Sequence, residues 1–347
     1  MKILLVADYY FHYALAVSDA LKSYGHNVKI AYTKQFNRNE LSNIEYVKYK
    51  INKSKYIKHF IDKQVEYIKR KSKENIDMFI SINGNYYNCI DKSILSDMKS
   101  RGIRTIAWYM DSIKRSENIS QHLECYDKIF SFESDDIQYI SNKYNLKIEY
   151  LPIGVYEKLF SSGVVSDTKK YDLCFVGFPT EKRLKYLEAV SKYCYFNHKK
   201  LIVYGYYWEN VNFIREYFSK RKFAKKYPYL SKYAINKLIF NGNLAKLYNN
   251  SRICLNIHIE VHHGINPRTF EILANGNFEL CDARDNSESM GLVDKENIVF
   301  YNSVDDCVEK IDYYLNHQQE CVRIGKNGMD LVNKRYGMKE IVKKLLQ

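Results

Sequence analysis

Two apolar runs of strand length, residues 253–257 and 278–281, bracket a stretch that leaves the backbone few choices. Between them Asn266 is a natural N-cap and Pro267 suits a first helical position. Gly276 then stops a helix of about two turns ending at Asn275. Residues 252–282 therefore read strand, loop, helix start, strand. Gly264 and the N–H groups near Arg268 and Thr269 lie at the positive end of that helix, a place that binds phosphate. Arg268 adds forked donors suited to phosphate oxygen. Glu271, one turn on, would oppose an anion unless it faced something else, and a ribose with two hydroxyl donors is the obvious partner. An ordinary capped helix with a surface Arg–Glu pair has the same local pattern.

The alternation of strand and helix runs through the chain. Residues 3–7 form a strand, a helix follows through Ala14, Val17, Ala20 and Leu21, Gly25 stops it, and residues 28–32 return as a second strand. The first turn lacks G-x-G-x-x-G, which weakens a dinucleotide reading. Residues 78–82, 105–108 and 128–132 are further strands. Parallel sheets bind ligands at their carboxyl ends, so His12, the run Asn83, Gly84, Asn85, and Asp111 are positions to watch, although each also suits a turn or cap. The phrase EYLPIGV (149–155) closes this half, and a polar stretch, 161–170, precedes a fresh strand at 172–176. Gly177, Lys182 and Arg183 then form a second phosphate-type turn. Residues 201–204 make a strand ending at Gly205, and 238–240 make another before Gly242 and Asn243. A late strand, 297–301, precedes helices over 304–316, 321–336 and 338–346.

At 347 residues, two cores are the expectation. Eight cysteines without C-x-x-C spacing read as buried thiols of a reducing cytoplasm. The opening MKILLVADYY lacks a signal-peptide cleavage pattern and no apolar run approaches a membrane span, so a soluble, cytoplasmic protein is expected. Net charge is +14, which favours polyanions without choosing among nucleotide diphosphates, nucleic acid and an acidic membrane face. Residues 52–73 interleave lysines with apolar positions at helical spacing, either a solvated basic face or one for anionic lipid or an acidic acceptor. Residues 219–232 form a second basic, aromatic insertion, read as a solvated loop or as acceptor or membrane contact. His262 and His263 are adjacent, with no i, i+4 spacing or carboxylate partner, so no metal is expected and a diphosphate contact suits them better.

The segment NPRTFEILANGNFELCD (266–282) resembles the donor-binding signature of GT-B glycosyltransferases, in particular the CgeB-like branch, where R-x-F-E-x-x-A-x-G-x-F-x-x-x-D recurs. The wider group has two glutamates eight positions apart. Glu271 matches the second, while His263 stands at the first, so the full pattern is not met; Glu279 shares the spacing but falls in the following strand. The resemblance implies two Rossmann-like α/β domains facing across a cleft: residues 1–155 on the acceptor side, with a final helix from about 336 to 347 packing back on it, and 156–335 on the donor side. It implies transfer of a hexosyl or N-acetylhexosaminyl group from a nucleotide-sugar co-substrate, a UDP-sugar first, to a hydroxyl on a surface protein or glycan. Retention of configuration, and no metal or separate cofactor, are implied too. Gly177, Lys182, Arg183, His263, Gly264, Asn266, Arg268 and Thr269 would surround the diphosphate. Gly205, Gly242 and Asn243 would meet nucleotide and base, Glu271 the ribose, and Asp111 or His12 the sugar or acceptor, with Arg268 stabilising the leaving group. A peripheral contact with the anionic inner membrane face is a further expectation, and no nucleic acid is expected. Two other classes stay open: a catalytically silent nucleotide-sugar binding protein of the same fold, and a nucleic-acid binder driven by charge.

Overall fold

The computed structural model describes residues 1–8, 12–34, 36, 41–83, 89–114, 122–160, 169–209, 213–260 and 264–347. It divides into two units, Met1–Ile153 with Met338–Gln347, and Gly154–Gly337.

The first unit is a six-stranded sheet, every strand parallel to its neighbours, in the order β2-β1-β3-β4-β5-β6. Its strands are β1 (Lys2–Asp8), β2 (Asn27–Thr33), β3 (Met78–Asn83), β4 (Arg104–Tyr109), β5 (Lys128–Ser131) and β6 (Glu149–Tyr150). Five consecutive residues of β1, Ile3 to Ala7, are buried, as expected of a parallel strand covered on both faces. The helices are α1 (Tyr13–Ser23), α2 (Asn43–Ile51), α3 (Lys53–Ser72), α4 (Lys92–Ser100) and α5 (Ser134–Tyr144). Helix α1 buries Ala14, Ala16, Val17, Ala20 and Leu21, and Gly25 takes φ +80° just past its end. Helix α2 has a complete capping box between Ser42 and Glu45, yet none of its residues is buried.

The second unit contains α6 (Glu157–Phe160), β7 (Tyr171–Val176), α7 (Glu181–Phe196), β8 (Leu201–Gly205), α8 (Phe213–Lys226), β9 (Ala234–Asn236), α9 (Asn241–Asn249), β10 (Ser251–Asn256), α10 (Pro267–Leu273), β11 (Glu279–Asp282), β12 (Val299–Tyr301), α11 (Val304–Asn316) and α12 (Gln318–Arg335). Its sheet is also parallel throughout, ordered β12-β11-β10-β7-β8-β9, so the order of connection reverses between β10 and β7. Leu173, Phe175, Leu187, Ile253, Leu280 and Ile324 are among its fully buried core residues. The last helix, α13 (Met338–Leu346), belongs to the first unit and buries Met338, Ile341, Val342 and Leu345.

Two expectations are corrected. The strand anticipated at 238–240 forms four residues earlier, as β9, because the Asn236 Oδ1 accepts the Tyr207 and Trp208 N–H groups at 2.7 and 3.1 Å and Lys237 then turns back in an antiparallel bridge to Gly205. Residues 219–232 are not a solvated loop. They continue α8, anchored by buried Phe223, and end in a single 3-10 turn, Leu230–Lys232, whose entry is held by the Glu188 carboxylate accepting the Tyr229 and Leu230 N–H groups. All eight cysteines are free. Among the described residues no helix is long and apolar enough to cross a membrane.

Candidate functional site

In an open parallel sheet, ligands bind beyond the carboxyl ends of the strands where the order reverses. In the second unit those ends are Gly177 after β7 and Ile257 after β10. A Cβ placed on Gly205 would lie 2.2 Å from the Gly177 carbonyl, and Gly177 N–H donates to Tyr204 at 3.0 Å, so the tips of β7 and β8 approach as only glycine allows. Thr180 caps α7 and sets Arg183 in its first turn. That side chain is only 7% exposed; Nε donates to the Ile257 carbonyl at 2.7 Å and Nη1 to the Phe178 carbonyl at 3.1 Å, which ties the loops after β7 and β10 together. Burial, and next the charge of Arg268, push the Arg183 pKa down to about 10. Tyr207, after β8, donates its hydroxyl to the Gly177 carbonyl at 3.2 Å. Burial raises its pKa, and Arg183 and Arg268 both oppose the rise. Three loops thus bring two guanidinium groups into each other's field, a repulsion that a bound anion would relieve.

Beneath the N-terminus of α10 lies a buried polar network. Asn266 caps the helix, its Oδ1 accepting the Thr269 N–H at 3.3 Å. The Asn256 amide reaches Asn266 Oδ1, Thr269 Oγ1 and Glu279 Oε1 at 3.1, 3.1 and 2.8 Å, and the Thr269 hydroxyl donates to Glu279 at 2.9 Å. Burial pushes Glu279 up to about 7 despite those bonds, and its Oε2 accepts none from a described residue. His258 Nε2 accepts the Asn266 N–H at 3.2 Å, which leaves the proton on Nδ1, 2.9 Å from Asp282 Oδ1. Burial lowers the His258 pKa, with Asp282 opposing. Asp282 also holds Lys182 at 2.7 Å and Arg284 at 3.2 Å. Burial works against its charge, but the bonds from His258 and Lys182 outweigh that and hold it well below the usual carboxylate range. His258, Cys281 and Asp282 could offer a metal three atoms within 4.8 Å of one another. Two cationic side chains already sit on Asp282, so the donor set as packed is a hydrogen-bonded cluster rather than a cation cage.

Arg268 is half-buried and donates from Nη1 to the Tyr248 hydroxyl at 3.0 Å. Glu271, one turn on, is 6% exposed. Thr269 is fully buried with its N–H and hydroxyl both committed, so it belongs to the packing under the turn, whereas the sequence suggested an N–H open to ligand. Lys182 is tied to Asp282, although a diphosphate contact was expected of it. Gly264 is buried beside the cap, and His263 lies outside the described residues. Gly242 and Asn243 open α9 and line a groove of about 770 Å³ with Tyr204, Lys237 and Phe240. In the first unit, Asp111 follows β4 and accepts the Ser112 N–H at 2.9 Å. Buried Asp136 holds that loop through Ser112 Oγ, Ile113 N and Ser131 Oγ at 3.0, 2.8 and 2.6 Å. His12 stands at the N-cap position of α1, its carbonyl accepting the Ala16 N–H at 2.9 Å but its side chain making no capping bond; it is 5% exposed, its ring 4.7 Å from that of Tyr13. Sequence reasoning missed Tyr207, Tyr248, Asn256, Glu279 and Asp282 as site-building residues. The one local signal was a polar Asn and His closing an otherwise apolar strand.

Residues 183–347 match a family model described as glycosyl transferase-like. The spore protein CgeB of Bacillus subtilis (strain 168) is 21% identical over 232 residues, which cover 65% of this chain and 69% of that protein. Among solved structures, the sucrose-phosphate synthase from Thermosynechococcus elongatus is similar with a TM-score of 0.65 over 100% of this chain and 98% of that one, at 12% identity. Anabaena HepE, in complex with UDP and glucose, gives 0.63 over 100% and 98% at 10% identity. Identities this low speak for the fold alone, which is GT-B. The likeness to CgeB-like GT-B glycosyltransferases read from residues 266–282 is borne out.

Proposed function

We propose that this chain, GT-B in fold and glycosyl transferase-like over residues 183–347, moves a sugar from a nucleotide-diphosphate donor to an acceptor hydroxyl. The observation that carries the reading is the convergence of Arg183, Arg268, Tyr207 and Gly177 at the point where the second sheet reverses its order. As the sugar–phosphate bond breaks, negative charge grows on the leaving diphosphate. Arg268, fixed on Tyr248, and Arg183, fixed on two carbonyls, meet that charge without having to reorganise. His258 and Asp282 act through the Asn266 N–H, holding the turn that carries Arg268. Glu271 takes the ribose, and the groove at Gly242 and Asn243 takes the base. UDP is the first nucleotide to test, since HepE was solved with it. We read the transfer as retaining and independent of metal, the acceptor as a surface protein or glycan, and the basic helix α3 as a peripheral contact with an anionic membrane.

Calorimetric titration with UDP, GDP, TDP, ADP and CMP, then with sugar forms of the tightest binder, tests this. A single charge-assisted contact contributes about 1.5–3 kcal/mol, so Arg268→Ala should weaken binding roughly ten- to hundredfold. Glu271→Ala should also weaken it, with the far-UV circular dichroism of both variants unchanged. Affinity equal to that of the unaltered protein in both variants would remove the site. Binding without transfer or hydrolysis of any sugar nucleotide would leave a binding protein.

A further inference from the structure

A cavity of about 440 Å³ opens at the amino-terminal edge of the second sheet, the end opposite Gly177 and Arg268. Ser251 and Arg252, which begin β10, and the turn from α10 into β11 form two sides. Helix α12 forms a third, with Gln318, Cys321, Val322, Lys326 and Met329 recurring at helical spacing. The helix can pass this close because a Cβ at Gly325 would stand 2.4 Å from the Gly276 carbonyl. Phe278 and Tyr314, ring centres 4.6 Å apart, supply an apolar wall.

Among the described residues the charges around the cavity do not balance. Lys169 donates to the Asn249 carbonyl at 2.8 Å and to Asn277 Oδ1 at 3.4 Å, both neutral acceptors, and its half-burial pushes its pKa down. Arg252 is ion-paired with Asp172 at 3.3 Å, but among the described residues neither Lys169 nor Lys326 meets a carboxylate and no Asp or Glu lines the cavity. Asn275, 4% exposed, donates from Nδ2 to the Glu271 carbonyl at 3.0 Å, while its Oδ1 accepts no hydrogen bond from a described residue. Positive charge and a buried acceptor, both without a partner for their charge or lone pair among the described residues, together with an aromatic wall define a ligand. We propose that this cavity binds a small amphipathic acid, its acid group on Lys169, a hydroxyl or amine donated to Asn275 Oδ1, and its apolar body against Phe278, Tyr314 and Met329.

The probes are 3-hydroxyoctanoate, octanoate, octanol and inorganic phosphate, titrated calorimetrically against the full chain. 3-Hydroxyoctanoate should bind saturably at one site, octanoate several-fold more weakly, and octanol and phosphate not at all. Lys169→Met should weaken 3-hydroxyoctanoate at least tenfold. A second measurement needs no variant. Burial pushes the Cys321 thiol up to about 12, so alkylation by iodoacetamide is slow, and bound acid should slow it a further severalfold while leaving Cys125, outside the cavity, unchanged. No saturable binding, octanol binding as tightly as the acid, an unweakened Lys169→Met, or unprotected Cys321 would each overturn the site. Octanoate equal to its hydroxy form would overturn the contact with Asn275.

Discussion

Glu279 sits at the centre of the polar network under α10 with no cation beside it among the described residues, and the pH dependence of folding should report that. Burial lifts its pKa from 4.5 to about 7, so the fold prefers the protonated form. The stability from that preference is full below about pH 4.5 and lost as pH rises through about 7, a span worth on the order of 3 kcal/mol. His258 has the opposite sign: held neutral, it adds stability above about 6.5 and loses it as pH falls. Glu279→Gln keeps the acceptor for Asn256 and Thr269, and isolates the first effect. Urea denaturation should find it more stable than the unaltered protein by about 1–3 kcal/mol at pH 8, with the difference closing towards pH 5. An unchanged pH slope would show that Glu279 is ionised in the fold. The network also marks where legibility ends at this scale. Asn266, Arg268 and Glu271 could be singled out because caps, forked donors and one-turn spacing are local. The pairing of Asn256 with Glu279, or of His258 with Asp282, joins residues more than twenty positions apart and exists only once β10 and β11 are in register.

At the scale of elements, two glycines separate packing from ligand approach. Gly205→Ala forces a Cβ against the Gly177 carbonyl at the tips of β7 and β8, and overpacking of this kind costs about 1–3 kcal/mol. It should lower the melting temperature and weaken nucleotide binding together. Outside its own turn of helix, Gly242 has no described atom within 4 Å of where its Cβ would be, so Gly242→Ala should leave the melting temperature unchanged. A loss of nucleotide affinity in that variant would then place the ligand against α9; unchanged affinity would move the base elsewhere. Most strands were legible because apolar runs bounded by turn residues need no partner to be recognised. β9 was not: Ala234 to Asn236 is a short edge strand whose end is set by Asn236 reaching back to Tyr207 and Trp208. Nor was α8, where lysines mask the helical spacing around Phe223.

For the whole molecule, the return of α13 to the first unit makes that unit discontinuous in sequence. Four buried side chains, each worth about 1.5–3 kcal/mol, together with Tyr24 donating to the Lys339 carbonyl at 3.1 Å and Arg104 to that of Leu346 at 3.1 Å, hold it there. Their sum rivals the roughly 5–15 kcal/mol that stabilises a domain. A chain stopped after Gly337 should therefore lose cooperative melting of the first unit, while limited proteolysis still yields a resistant fragment from the second.

Charge is distributed as unevenly as the core. Residues 43–73 hold ten Lys and Arg against three Asp and Glu, a net +7 that is half of the +14 of the chain. On α2, Ile44, Val47 and Ile51 are 70%, 55% and 79% exposed and share one face, flanked by Lys48 and Lys50, while Tyr49 packs on Phe36 at 5.3 Å and Tyr56 at 6.0 Å on the other side. An apolar stripe edged with lysines matches an anionic bilayer surface, where both terms add. Sedimentation with vesicles containing phosphatidylglycerol should show binding that weakens as salt shortens the Debye length from about 10 Å at 0.1 M to about 3 Å at 1 M. Replacing Ile44, Val47 and Ile51 by Ser should reduce binding severalfold at low salt without changing its salt dependence, and replacing Lys48, Lys50, Lys53 and Lys55 by Gln should flatten that dependence. Equal binding to neutral phosphatidylcholine vesicles, or none to either, would leave α2 and α3 as a solvated hairpin.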